Sequence, residues 1–157
     1  MTRTWSLNTL YSSFDSPELK KDLAYLETLN ASYDDVIKAL SGTGISHKEA
    51  IEGFLNQYIQ DLKTIRLLAA FGHLSFSTHS KSQEALSLKS KAQEGLSSLT
   101  KPLVAFTHWL KGVDNFDALA EESSLIKEHL FFLQGLKDSA QHMLSQEEEV
   151  LVSKLKA

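Results

Sequence analysis

The chain has 157 residues, no cysteine, a hydrophobic fraction of 42% and a formal net charge of −4, values typical of one soluble globular domain. The lack of cysteine excludes disulfides and thiolate metal sites, and the negative charge disfavours nucleic acid, which binds basic faces. No apolar run approaches the roughly 18 residues of a membrane span and no signal peptide is recognisable, so we expect a cytoplasmic protein without nucleic-acid or membrane partners.

The first 15 residues are predicted to form an apolar anchor segment. Before any helix begins they carry five large apolar side chains with little periodicity, namely Trp5, Leu7, Leu10, Tyr11 and Phe14. Burying one such side chain contributes roughly 1.5–3 kcal/mol. We therefore expect residues 1–15 to lie extended along the helices, with Trp5→Ala costing about 3 kcal/mol if Trp5 is buried.

Helical periodicity begins after this segment. Ser16-Pro17-Glu18 combines a capping hydroxyl, a proline at the first helical position and an acid in the first turn. Apolar residues three and four apart then predict a helix from about Pro17 to Leu40. Gly42 follows and is expected to end the helix in the left-handed conformation.

A second helix is predicted from a capping box. Ser46-His47-Lys48-Glu49 has the hydroxyl and the carboxylate that satisfy each other's backbone donors. The helix is expected to extend to about Phe76, and its wide apolar face predicts a central position. Gly72 is expected to weaken it locally.

A third helix is predicted from about Lys81 to Lys111. Pro102 lies inside this stretch, which predicts a kink or break near Thr100, because proline lacks the backbone N–H and clashes with the preceding turn. The Lys81–Lys101 half is rich in lysine and serine but also contains acids. It is therefore expected to be a solvated face rather than a basic patch.

The last third of the chain is also predicted to be helical. We predict a short helical segment at about Asp114–Glu121 and a helix at about Ser124–Met143. A second capping box, Ser145-Gln146-Glu147-Glu148, then predicts the start of a final helix. The apolar side chains of that helix, Val150, Leu151 and Leu155, would be exposed unless another segment covered them. No stretch alternates with the period of a strand. We predict an all-α fold, an antiparallel bundle of four to five helices forming a single domain over 1–157 with helices over 16–157.

The histidines are the first candidates for acid–base or metal chemistry. None lies four residues from another, so the H-E-x-x-H zinc helix is absent. We expect all six to be surface or packing residues: His47, His73, His79, His108, His129 and His142.

The carboxylate pairs are expected to be solvated or to cap helices. They lie at Asp34-Asp35, Glu121-Glu122 and Glu147–Glu149, and the last two are expected where helices begin. No nucleophile elbow and no phosphate-binding loop is present. No catalytic, cofactor-binding or metal-binding residue is therefore predicted.

Six aromatic residues could line a peptide groove, although side chains at helical spacing more often form the core. They are Phe71, Phe76, Phe106, Trp109, Phe131 and Phe132. Adjacent helical residues point in different directions. One of Phe131 and Phe132 is therefore a candidate for a second surface.

Three stretches resemble one known family. Trp5-x-Leu7-x-x-Leu10-Tyr11-x-x-Phe14-Asp15-Ser16-Pro17 resembles the opening of oligoendopeptidase F and its relatives among the thimet-like zinc metallopeptidases. His73–Thr78 resembles the end of that family's second long helix, and His142–Glu149 resembles its L-S-x-x-E-E segment. The order of these stretches extends the resemblance along essentially the whole chain.

The resemblance implies an N-terminal helical domain of a longer cytoplasmic peptidase. Such an enzyme hydrolyses short peptides with a zinc-activated water and a glutamate base, but its H-E-x-x-H helix has no counterpart here. The chain is therefore expected to hold no zinc, to be non-catalytic, to pack against the catalytic domain and to wall the peptide channel. In isolation it would self-associate through its last helix. The alternative is a self-contained helical interaction or adaptor module.

Overall fold

The computed structural model describes residues 10–42, 44–143 and 146–156, and this part of the chain is all-α. It contains no strand and no helix that is long and apolar enough to span a membrane. Its helices are α1 Pro17–Ser41, α2 His47–Thr78, α3 Gln83–Leu110, α4 Phe116–Glu122, α5 Ser124–Glu128, α6 Leu130–Gln141 and α7 Gln146–Lys156.

The predicted start of α1 is confirmed, but its end is not. Ser16 Oγ accepts a hydrogen bond from the Leu19 amide at 3.2 Å, and Pro17 is the first helical residue. Gly42 has an extended backbone with φ −80°, so the predicted left-handed cap was wrong. The chain turns two residues later, where Gly44 has φ +126°, a conformation that favours glycine.

The capping box of α2 is confirmed, whereas the predicted weak point is not. Ser46 Oγ accepts from the Glu49 amide at 3.2 Å, and the Glu49 carboxylate accepts from the Ser46 amide at 3.1 Å. The helix is continuous through Gly72, which is buried against α3. A Cβ atom at Gly72 would lie 3.2 Å from the backbone nitrogen of Lys89. The glycine therefore permits a close approach of two helices.

A kink or break was predicted near Thr100; helix α3 is continuous through Pro102, so the helix does not break there. Pro102 is buried, and α3 packs against both α1 and α2. An interior proline costs about 3 kcal/mol. Contacts with α1 and α2 offset this cost. Helix propensity, which depends only on the local sequence, does not include such contacts.

The larger core cluster joins α2 and α3 to the helices that follow. Phe106 of α3 is fully buried and stacks on Phe54 of α2, with ring centroids 3.8 Å apart. Ile126 and Leu133 enter the same cluster from α5 and α6. Helices α5 and α6 thus share one core with the long helices.

A smaller cluster lies where the chain begins. Tyr11 is buried, its ring meets Phe71 edge-on at 5.3 Å, and its hydroxyl donates to Asp22 at 2.6 Å. Leu10 and Phe14 are partly buried against the same cluster. Trp5 and Leu7 of the predicted anchor lie outside the described residues.

The single helix predicted at Ser124–Met143 is divided in two, which was not foreseen. The backbone departs from helical geometry at His129, between α5 and α6. Both the amide and Nδ1 of His129 bond the carbonyl oxygen of Leu125, Nδ1 at 3.0 Å. A side chain that bonds a nearby carbonyl in this way competes with the regular helical pattern.

Candidate interaction surface

The six candidate histidines are dispersed between the surface and the packed interior. His47 lies edge-on to Trp109 at 5.6 Å, and His73, His79 and His142 are exposed. His108 Nε2 is buried without a hydrogen-bond partner among the described residues. In this described part of the chain, no three histidine, aspartate or glutamate side chains are grouped so that they could hold a metal ion.

The carboxylate pairs are also exposed where they are described. Asp34 pairs with Lys101 at 3.3 Å, and Asp35 pairs with Lys38 one turn away at 3.9 Å. Glu121–Glu122 end α4 instead of starting a helix, which corrects that part of the prediction. The second predicted capping box falls partly outside the described residues, because Ser145 is not among them.

One apolar groove stands out on the surface of α2, and we call it the α2 groove. Its volume is about 650 Å³. Its lining is mainly apolar, with two basic side chains and one histidine: Leu55, Tyr58, Ile59, Leu62, Lys63, Arg66, Leu67, Ala70, His129 and Phe132. The start of α6, directly after His129, borders this groove. Phe132 there stacks on Tyr58 with ring centroids 6.5 Å apart.

The electrostatics of the α2 groove are positive at its edge. Lys63 and Arg66 are exposed, and neither forms an ion pair with a described residue. Burial raises the pKa of Tyr58, and the charge of Arg66 opposes that rise. The groove therefore offers a phenol, aliphatic side chains and two cations, a combination suited to binding an apolar segment that carries acids.

A second polar feature, the carboxylate of Asp61, lies inside the bundle. Asp61 is fully buried and accepts a hydrogen bond of 2.6 Å from the Tyr25 hydroxyl, which joins α2 to α1. Burial, together with the Asp61 hydrogen bond and charge, raises the pKa of Tyr25 to about 12. Burial, with the nearby charge of Asp61, also raises the pKa of Tyr33 on α1, whose hydroxyl has no hydrogen-bond partner among the described residues. This acid is enclosed between helices, so its role is structural.

The last helix presents an uncovered apolar face, which we call the α7 face. Val150, Leu151 and Leu155 are 53%, 59% and 78% exposed. None of them joins the two described core clusters. The sequence prediction that these side chains lack a cover is confirmed for the described residues.

The aromatic candidates divide between core and surface. Phe71 and Phe106 are buried, Phe132 lines the α2 groove, and Phe131 is 92% exposed. The expectation that one of the adjacent phenylalanines reaches a second surface is confirmed by Phe131. Of the six aromatic residues that the sequence offered for a peptide groove, Phe132 lines the α2 groove. The wide apolar face of α2 was a further signal for its position.

Comparison with known proteins gives no assignment. The chain matches no protein-family model, no curated protein sequence and no solved structure.

Proposed function

We propose that the chain is the N-terminal helical domain of a cytoplasmic zinc oligoendopeptidase related to oligoendopeptidase F. The three sequence stretches that resemble this family support the proposal. In it, helices α1 to α7 form an antiparallel bundle of four to five principal helices, and residues 1–15 anchor the start of the chain. The domain walls one side of the channel that admits short peptides, and catalysis belongs to another part of the polypeptide.

The observation that carries the proposal is the α7 face. Three large aliphatic side chains on one short helix remain in water, although burying each would contribute roughly 1.5–3 kcal/mol. A catalytic domain that follows α7 would cover them. Contiguous exposed apolar surface of this kind is typical of a surface that meets another polypeptide.

The residues of this chain do not fit a zinc site. The H-E-x-x-H pattern is absent from the sequence, and the described residues bring together no group of three potential ligands. In this proposal, zinc belongs to the parent enzyme. The contribution of this chain is to shape the channel and limit the size of the peptides that enter.

The reading frame and a complementation assay test the proposal together. We expect the frame beyond residue 157 to encode an H-E-x-x-H helix. We further expect that region, co-expressed with this chain, to cleave a quenched fluorescent peptide in a chelator-sensitive manner. Chelator-sensitive cleavage by the purified chain alone, or a native stop codon directly after it, would contradict the proposal.

The second candidate is a self-contained interaction module, and the α2 groove favours it. A groove of about 650 Å³ with an aromatic pair and two cations is suited to a peptide or helix regardless of any catalytic domain. A native stop codon together with a stably folded 157-residue product would favour this candidate over the first.

A further inference from the structure

We infer that the α2 groove binds an amphipathic helix of a partner protein, one with an apolar stripe and with carboxylates that face Lys63 and Arg66. This assignment rests on the second candidate function, the interaction module, and deepens it by naming the class of partner. Three properties of the groove support it, namely its helical spacing, the aromatic pair and the unpaired cations.

The spacing of the groove follows one face of a single helix. The α2 residues that line it recur in steps of three and four, at Leu55, Tyr58, Ile59, Leu62, Lys63, Arg66, Leu67 and Ala70. Residues with this spacing lie on one side of a helix, and the stretch is about 22 Å long at the helical rise. A partner helix of about four turns matches that length, and docking in an apolar groove is a common mode of helix recognition.

This face of α2 is separate from the face that forms most of the core. Phe54, Ile65 and Leu68 are buried and do not line the groove. At the groove, Ile59 is 36% exposed and Phe132 is 37% exposed. Side chains this open to solvent do not enclose a small ligand, since small-molecule sites bury most of the ligand surface. An elongated partner that lies along the groove fits this exposure better.

The aromatic pair provides an anchor point. Phe132 stacks on Tyr58 with ring centroids 6.5 Å apart, and both rings line the groove. Aromatic side chains are enriched among the residues that contribute most to binding energy at interfaces. We therefore expect a large apolar side chain of the partner helix to pack against these two rings.

The cations select an acidic partner. Lys63 and Arg66 are exposed, neither forms an ion pair with a described residue, and no described carboxylate lines the groove. The chain as a whole has a net charge of −4, so this positive edge opposes the overall sign. Charges across an interface are arranged to be complementary. The complementary helix therefore carries carboxylates beside its apolar stripe.

Fluorescence anisotropy with labelled peptides tests the assignment on the full chain. The probe is a helical peptide of about 16 residues, with leucines in steps of three and four, one phenylalanine, and glutamates beside this stripe. A second peptide has lysines in place of the glutamates, and a third is a scrambled form of the first. We expect the glutamate peptide to bind at least about tenfold more tightly than the other two. The net charge of −4 would by itself favour the lysine peptide, so this order reports the local charge of the groove.

Charge exchange locates the binding site. The double variant Lys63→Glu/Arg66→Glu is expected to bind the glutamate peptide about tenfold more weakly and the lysine peptide more tightly, because attraction and repulsion are exchanged. Lys21→Glu is the matched control, since Lys21 is an exposed lysine of α1 outside the groove. Both variants change exposed side chains, and circular dichroism verifies that they are folded.

A second pair of variants tests the apolar contact. Ile59→Lys is expected to weaken binding of the glutamate peptide about tenfold, because it places a charge within the apolar stripe. Leu86→Lys is the control, at an exposed apolar residue of α3 outside the groove. Equal weakening by a groove variant and its control would overturn the assignment.

Other occupants give different results. Saturable binding of dodecanoate without binding of the glutamate peptide would assign the groove to a small amphiphile. Self-association of the chain that Ile59→Lys abolishes and Leu86→Lys leaves intact, measured by light scattering, would assign it to a second copy. Either result overturns the assignment to a partner helix.

The outcomes also separate the partner class from the proposed function. A native stop codon after a stably folded chain that binds none of the peptides overturns the acidic helix and leaves the interaction module in place. A downstream zinc helix that complements the chain, together with binding of the glutamate peptide at the groove, overturns the self-contained module and leaves the class of partner as inferred.

Discussion

Two phenylalanines of this protein show how differently the same residue type is used. Phe106 is fully buried and stacks on Phe54 between α2 and α3, whereas Phe131 on α6 is 92% exposed. Both lie in helices whose periodicity predicts apolar faces. The comparison teaches that a helical pattern identifies a face, while only the neighbouring elements determine whether the face is covered.

The same contrast holds at the level of whole helices. Helix α3 packs against α1, α2 and α6, so that its apolar side chains reach a common core. Helix α7 contributes none of its apolar side chains to the described clusters. We therefore expect stability to depend on the α2–α3 contact, and association to depend on the C-terminal end.

The largest expected effect is at the buried phenylalanine. Phe106→Ala removes a fully buried ring from the stack with Phe54, and we expect a loss of about 3–5 kcal/mol in the free energy of unfolding. Denaturant titration followed by circular dichroism measures it. Phe131→Ala is the matched control and is expected to change that free energy by less than about 0.5 kcal/mol. Equal losses from the two variants would remove the distinction between the regions.

A smaller loss is expected at the hydrogen bond between α1 and α2. Tyr25→Phe leaves the buried Asp61 carboxylate without its 2.6 Å donor, and a hydrogen bond to a charged group contributes about 1.5–3 kcal/mol. We expect a loss near the lower end at neutral pH, because Tyr25 is partly exposed. Denaturant titration of both proteins at neutral pH measures the loss, and an unchanged midpoint would contradict it.

The same tyrosine gives stability a pH dependence in the alkaline range. Its pKa is about 12 in the fold, above the ordinary value of 10.0. The contribution is therefore fully present below pH 10 and is lost as the pH rises through about 12. The difference in stability between wild type and Tyr25→Phe should shrink over that window. A difference that stays constant would show that Tyr25 does not titrate with folding.

The smallest expected effect concerns the close approach of α2 and α3 at Gly72. Gly72→Ala places a methyl group 3.2 Å from the Lys89 backbone nitrogen. Overpacking of this kind costs about 1–3 kcal/mol, and the better helix propensity of alanine offsets up to about 1 kcal/mol of it. We expect a net loss of about 1 kcal/mol. Gly53→Ala is the control, because a Cβ at that exposed position meets no atom within 4 Å and should stabilise the helix.

Much of the fold could be predicted because its signals are local. The capping groups at Ser16 and Ser46 predicted where α1 and α2 begin. The periodic leucines predicted an all-α fold. Capping and periodicity act within one or two turns, so the sequence expresses them directly. The exposed apolar side chains of α7 were predicted from the same kind of local pattern.

Tertiary structure decided the features that depend on contacts between distant segments. Helix α3 is intact at the buried Pro102, and the approach of Lys89 to Gly72 gives that glycine its role. The α2 groove includes Phe132, which lies beside Tyr58, more than seventy positions earlier in the chain. Periodicity describes one helix at a time. Whether an apolar face is covered or forms a groove depends on where the other helices lie. Contacts in the shared core determine those positions.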